Sequence, residues 1–155
     1  VILLCPTGVS MVRESPVLKH YNKTKDNLLS IRTTEEAKEL LYLLQCKYRF
    51  LPNCVFEYYA NEYSKNADVY DKIFYELIIS SYPLLEKYIK YIKSNVLIIF
   101  GENDRIIDNS CIINIIHELN VKYSTHIISN GDHIIHNTHF QECAKFIEGH
   151  INYNS

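Results

Sequence analysis

Two residues of this 155-residue chain stand where an acid and a base could share one proton. Asp104 closes the segment Val96-Leu-Ile-Ile-Phe-Gly-Glu-Asn-Asp104, an apolar run followed by glycine and a polar pair. His133 closes Ile127-Ile-Ser-Asn-Gly-Asp-His133, where a strand-like run again gives way to a turn. A carboxylate that accepts from an imidazole N–H fixes the ring's tautomer. It also stabilises the imidazolium formed when the ring takes a proton from a hydroxyl nucleophile. That is the arrangement of acyl transfer. Each tetrapeptide on its own, Gly-Glu-Asn-Asp or Asn-Gly-Asp-His, is an ordinary turn sequence. Their weight lies in order and context: acid then base, each just past one of two consecutive predicted parallel strands, where open α/β sheets place function.

The elements that must carry this pair are legible from hydrophobic period and turn residues. Val1 to Cys5 is a continuous apolar run stopped by Pro6 and Gly8, the pattern of a strand buried on both faces. Asn95 to Phe100 repeats it before Gly101, and Tyr123 to Ile128 forms a third strand ended by Asn130-Gly131. Between these last two, Asp108 or Ser110 caps a helix with Ile112, Ile113, Ile116 and Leu119 on its inner face. Thr138 and Gln141 have capping-box spacing and open a closing helix with Phe140, Ala144 and Ile147 inward.

Between the first two strands, Thr33 and Glu36 form another such box. It precedes a helix from about Thr34 to Cys46 with Ala37, Leu40, Leu41 and Leu44 on one face. From Phe50 to Ile92, apolar groups recur at helical intervals around Val55, Tyr58 and Tyr59, around Ile73, Phe74 and Leu77, and around Leu85, Tyr88 and Ile89. Three more short helices follow. The sum is an α/β fold, a parallel sheet interrupted by a helical insertion from roughly Met11 to Ser94.

Composition excludes several classes. With 47% hydrophobic and 22% charged residues the chain has the make-up of a globular domain. A formal charge of -2 with scattered lysines offers no footprint for nucleic acid. Cys5, Cys46, Cys54, Cys111 and Cys143 are odd in number and unpaired in spacing, which fits free thiols in a reducing, cytoplasmic-type compartment. No apolar stretch reaches the ~20 residues of a membrane helix. The spacing of His133, His136 and His139 spreads them around a helix, so no metal site is expected from them. No glycine-rich phosphate loop is present.

The segment from Val96 through Asp104 to Asp108 resembles the strand, glycine, polar pair and catalytic Asp of α/β-hydrolases. Ile127 to His136, with Phe140 to Phe146 behind it, resembles their final strand, catalytic His and closing helix. Val1 to Ser10 resembles the strand after the nucleophile elbow, with its Pro and Gly exit into the cap. The resemblance covers the whole chain and implies the C-terminal part of an α/β-hydrolase, with three parallel strands and flanking helices. Residues 1–10 and 95–155 would belong to the core and residues 11–94 to a helical cap or lid. Asp104 and His133 would be the acid and base of a catalytic triad.

The cap sharpens the expectation. Thr33 to Leu41, Phe50 to Pro52 and Asp71 to Leu77 resemble the short cap of monoacylglycerol-lipase-type serine hydrolases and related bacterial lipases. This implies a small-molecule ester or lipid substrate with an apolar acyl chain, admitted beneath Phe50, Val55, Phe56 and Tyr59, and no cofactor. The chain departs from the family pattern at Asp132, where glycine is usual, and at Phe140, where proline often opens the last helix. An inward Asp132 would favour protonated imidazole. Its place next to His133 in sequence suits it poorly to reach the same ring, which leaves Asp104 as the acid.

No Gly-x-Ser-x-Gly nucleophile elbow occurs in the sequence, and the oxyanion-hole N–H groups that accompany it are absent with it. The expectation is that the parent protein continues upstream of Val1, that this fragment alone is inactive, and that its first strand pairs with one from the missing N-terminal half. Membrane association through upstream residues is left open. Two other classes stay open as well: an epoxide hydrolase or dehalogenase with an upstream Asp nucleophile, and a catalytically silent hydrolase-fold binding module.

Overall fold

The computed structural model describes residues 1–44, 51–79 and 84–153. Three parallel strands form its sheet in the order β1 (Ile2–Leu4), β2 (Val96–Gly101), β3 (Tyr123–Ile128). The register pairs Leu3 with Ile98 and Gly101 with Ile128. As the middle strand, β2 has a partner on each edge and packing on each face. Val96 through Phe100 are accordingly at most 1% exposed, and the apolar run reads as continuous for that reason.

The outer strands differ. β3 alternates, with Tyr123, Thr125 and Ile127 exposed, Ser124 and His126 half-buried and Ile128 buried. Its inward face is covered by α8 (Phe140–Tyr153), where the His126 ring stacks on Phe146 with centroids 3.9 Å apart. β1 is shorter and less buried than its sequence suggests, for Ile2 is 38% exposed and Leu3 and Leu4 are half-buried. The cause is its open outer edge: among the described residues β1 pairs with β2 alone.

Among the described residues, five α-helices and a π-helical turn run between β1 and β2. The polar-looking stretch after β1 contains α1 (Pro16–Thr24), which composition hides. Ser15 caps it by accepting from the Leu18 N–H, and Pro16 sits at its first turn, where no N–H is needed. α2 (Thr34–Leu44) begins with the expected reciprocal box: Thr33 Oγ1 accepts from the Glu36 N–H, and Glu36 Oε2 accepts from the Thr33 N–H. α3 (Asn53–Ser64) packs on α2 through Ile31, Ala37, Phe56 and Ala60, a core separate from that of the sheet. α4 (Ala67–Phe74) leads into a π-helical turn (Tyr75–Ile79), and α5 (Leu84–Ile89) returns to β2. Arg32 ties the α1–α2 connection to α4 through Asp68 and Asp71 at 3.1 and 2.6 Å.

After β2, a 3₁₀ turn (Asn109–Cys111) capped by Asp108 opens α6 (Ile112–Glu118); after β3, the single turn α7 (Ile135–Thr138) precedes α8. Two expected helix faces are corrected here. On α6 Ile112 and Ile116 pack against the core and Leu119 is buried, as expected, but the fully buried side chain among them is Ile115, while Ile113 is 58% exposed. On α8 the inward residues are Cys143, Phe146 and Ile147, while Phe140 is 60% exposed and Ala144 faces solvent. The expected Thr138 box does not form, because the Thr138 hydroxyl donates to Asp132 instead. Cys5, Cys54, Cys111 and Cys143 are free thiols, and Cys46 lies outside the described residues. Among the described residues no helix is long and apolar enough to cross a membrane.

Candidate active site

The C-terminal ends of all three strands meet at one edge of the sheet, and close backbone approach draws their loops together. Gly101 ends β2 against the loop after β3: a Cβ there would stand 2.2 Å from the Asp132 carbonyl oxygen and 2.6 Å from that of Gly131. Only glycine fits. Asn130 turns the chain with φ 56°, in the left-handed region that Asn tolerates. The loops are then joined directly. The Asn103 N–H donates to Gly131 O at 2.8 Å, the Glu102 N–H to Ile128 O at 3.0 Å, and the Asn130 N–H to Glu102 Oε2 at 2.9 Å.

This framework places Asp104 against His133. Oδ1 of Asp104 accepts from the N–H groups of Ile106 and Ile107 at 2.8 and 2.9 Å, which fixes the carboxylate plane. Oδ2 lies 2.8 Å from His133 Nδ1. The Asp104 side chain is 1% exposed and that of His133 is 25% exposed. An ionised carboxylate has no proton to give, so Nδ1 carries the hydrogen and Nε2 is left as the accepting nitrogen. Among the described residues nothing engages Nε2.

Asp132, the departure noted in the sequence, does not compete for the ring. Its Oδ1 accepts from the Ile134 N–H at 3.1 Å and from Thr138 Oγ1 at 2.8 Å. It braces the turn that leads into α7 and is 1% exposed. The negative charge beside His133 is thus held by neutral donors on the following turn.

A third side chain reaches this edge that sequence reasoning missed. Cys5 follows β1 in a left-handed conformation, φ 41°, with its N–H donating to Ile99 O at 2.9 Å. Its Sγ–H points toward Asp132 O at 3.9 Å. The signal was present: Cys5 is the last residue of an apolar strand, directly before Pro6. Burial, and after it the charge of Asp104, pushes this thiol above its usual range, so it is no free thiolate nucleophile at neutral pH.

The four residues expected beneath the cap separate. Phe56 is 2% exposed and packs in the α2–α3 core, and Tyr59 lies half-buried against the same cluster. Val55 is half-buried on α3. Phe50 lies outside the described residues.

Among solved structures, the chain superposes on a bacterial membrane phospholipase A described as a virulence factor. The TM-score is 0.79 at 22% identity, over 96% of this chain and 48% of that one. It is also similar to a putative lipase from Acinetobacter baumannii, with TM-score 0.69 and 17% identity over 99% of this chain and 53% of that one. A meta-cleavage product hydrolase from Pseudomonas fluorescens gives TM-score 0.67 and 12% identity over 99% and 56%. The fold is that of the C-terminal part of an α/β-hydrolase. The chain spans about half the length of these hydrolase-fold structures. No family model and no curated protein matches the sequence. Within the α/β-hydrolase fold, then, the Asp104 and His133 loops follow the last two strands of this chain, and Cys5 follows the strand before them.

Proposed function

We propose that the intact protein is a serine hydrolase of esterase or lipase type, cleaving carboxylic esters with an apolar acyl chain, and that this chain supplies its acid and base. The observation that carries the reading is the 2.8 Å contact between Asp104 Oδ2 and His133 Nδ1, with Nε2 left to accept a proton. A serine upstream of Val1 attacks the ester carbonyl while Nε2 takes its proton. His133 then protonates the leaving alcohol and later activates water, with Asp104 holding the ring throughout. No cofactor enters this scheme.

Residues 11–94 serve as the cap in this reading. Val55 and Tyr59 are candidates for contact with the acyl chain, and Phe56 acts by holding α3 on α2. Support for an ester substrate comes from the likeness to proteins described as a phospholipase A and a putative lipase. The test is labelling of the intact protein by a serine-directed phosphonate probe. Stoichiometric labelling that is lost in His133→Ala is the expected result. Absence of labelling in the folded wild type would exclude a serine nucleophile, in favour of an Asp nucleophile or a silent binding module.

A further inference from the structure

Among the described residues, one cluster brings together three side chains of metal-ligating type: Cys5, Asp104 and His133. One ligand atom from each lies within 4.8 Å of the other two. They come from the ends of three different strands, so the sheet itself holds the arrangement. We propose that this cluster binds a thiophilic divalent cation of the zinc class, and that binding switches off the acid–base pair.

The chemistry of the donor set selects the ion. Zinc accepts sulfur at about 2.3 Å and nitrogen or carboxylate oxygen at about 2.0–2.2 Å, which sets ligand atoms on the order of 3.5 Å apart in a tetrahedron. The present spread closes to that by movements of about an ångström, within reach of side-chain rotation. A thiolate and a carboxylate bring two negative charges, which a divalent cation neutralises in a place where Cys5 and Asp104 are 6% and 8% exposed. The burial that disfavours a bare thiolate does not oppose one paired with such a cation. Thiolate favours zinc or cadmium over magnesium or calcium. The partly exposed edge of His133 offers a way in, and a fourth coordination position remains for water.

The step balances as one proton per ion. The cation displaces the Cys5 thiol proton, which leaves to solvent. It also takes the lone pair of His133 Nδ1, whose proton passes to Nε2. The ring then carries hydrogen at Nε2 and has no lone pair left to act as base. This last clause rests on the proposed function; the binding itself does not. The histidine triple at 133, 136 and 139 is not the site, since His136 is exposed and His139 Nδ1 lies 3.0 Å from Thr138 Oγ1.

The test titrates Cd²⁺ and Zn²⁺ into the full chain carrying Cys54→Ala, which removes an exposed thiol. The thiolate-to-cadmium absorption band and the heat in buffers of different ionisation enthalpy are followed. The expected result is one saturable site, one proton released per ion, and loss of the band in Cys5→Ser with affinity reduced about 100-fold or more. A band that persists in Cys5→Ser, or no saturable binding, would overturn the site. Should Cys5→Ser fail to fold by circular dichroism, Asp104→Asn decides. It keeps the thiol and the shape, and undiminished affinity in it would equally overturn the proposal. Ion binding is read without turnover, so its failure is distinct from failure of the hydrolase reading. In the intact enzyme, Zn²⁺ at saturating concentration should abolish ester turnover reversibly on chelation; full turnover with the site occupied would overturn the switch.

Discussion

Asp104 meets His133 through one carboxylate oxygen only: Oδ2 lies 2.8 Å from Nδ1, while Oδ1 is held by two backbone N–H groups of its own turn. The division lets a substitution change the ring's tautomer without freeing the loop. In Asp104→Asn the Oδ1 acceptor is retained, and an amide N–H₂ faces the ring. Nδ1 must then accept and the proton moves to Nε2, the wrong nitrogen for a base. We expect kcat for ester hydrolysis by the intact protein to fall about 10⁴-fold, as such a tautomer change does in a serine protease, with KM little altered. Steady-state kinetics on a chromogenic ester checks this, and a loss below tenfold would remove Asp104 from the mechanism.

Two glycines should respond oppositely to the same methyl group. Gly101→Ala places a Cβ 2.2 Å from a backbone oxygen that cannot step aside, and it parts the loops carrying Asp104 and His133. Destabilisation of about 2–3 kcal/mol is expected by urea unfolding. Gly149, inside α8, has nothing within 4 Å of the corresponding position. Gly149→Ala should stabilise by about 0.5–1 kcal/mol through helix propensity.

Phe56 tests packing against substrate contact. It sits between α2 and α3 at 2% exposure, so Phe56→Ala should cost about 3 kcal/mol of stability. Val55→Ala, on a half-buried neighbour, should cost less than about 1 kcal/mol. If Phe56→Ala left stability intact and raised KM for long acyl chains, the aromatic ring would be a substrate contact after all.

Asp108 predicts a pH window. Burial raises its carboxyl, but the hydroxyl and N–H of Ser110, and then Arg13, outweigh burial and hold it below its ordinary value. A carboxyl depressed in the folded state contributes stability above its unfolded value near 3.8, and that contribution is lost as pH falls through the folded value. Asp108→Ala should therefore cost about 1 kcal/mol at pH 7, the usual worth of a cap, and progressively less below about pH 4. Denaturant curves at both pH values read the difference directly.

The open edge of β1 bears on solution behaviour. Val1 and Ile2 are 47% and 38% exposed beside backbone groups that no strand covers among the described residues. Such an edge is a template for pairing with another chain. The 155-residue chain expressed alone should self-associate at micromolar concentration in sedimentation velocity. A monodisperse monomer would count against that.

Asp104 and His133 are legible in sequence because strand, glycine and turn leave the chain few ways to continue, and parallel pairing then brings successive strand ends to one edge. β2 is legible for the same reason, being buried on every side. Where an element is only half covered, the apolar pattern says less. Ile113 and Ile115 are equally apolar, yet Ile115, three residues after Ile112 and four before Leu119, lies on the packed face while Ile113 faces out. Thr138 has the right spacing for a capping box, yet a buried carboxylate six residues back takes its hydroxyl. Cys5 gives no local signal of chemistry, since its neighbours at the site lie 99 and 128 residues further along the chain.

The pairing of Gly101 with Ile128 also makes the dyad a gauge of alignment. A two-residue slip of β3 would keep the same side chains facing inward, and burial alone would tolerate it. It would nonetheless carry His133 about 6.6 Å along the strand, out of reach of Asp104. The hydrogen bond therefore distinguishes two sheets that look alike to the hydrophobic core. During folding, only molecules with β3 in its one correct position would show the low-field Nδ1–H resonance of His133, which makes that proton a marker for completion of the sheet.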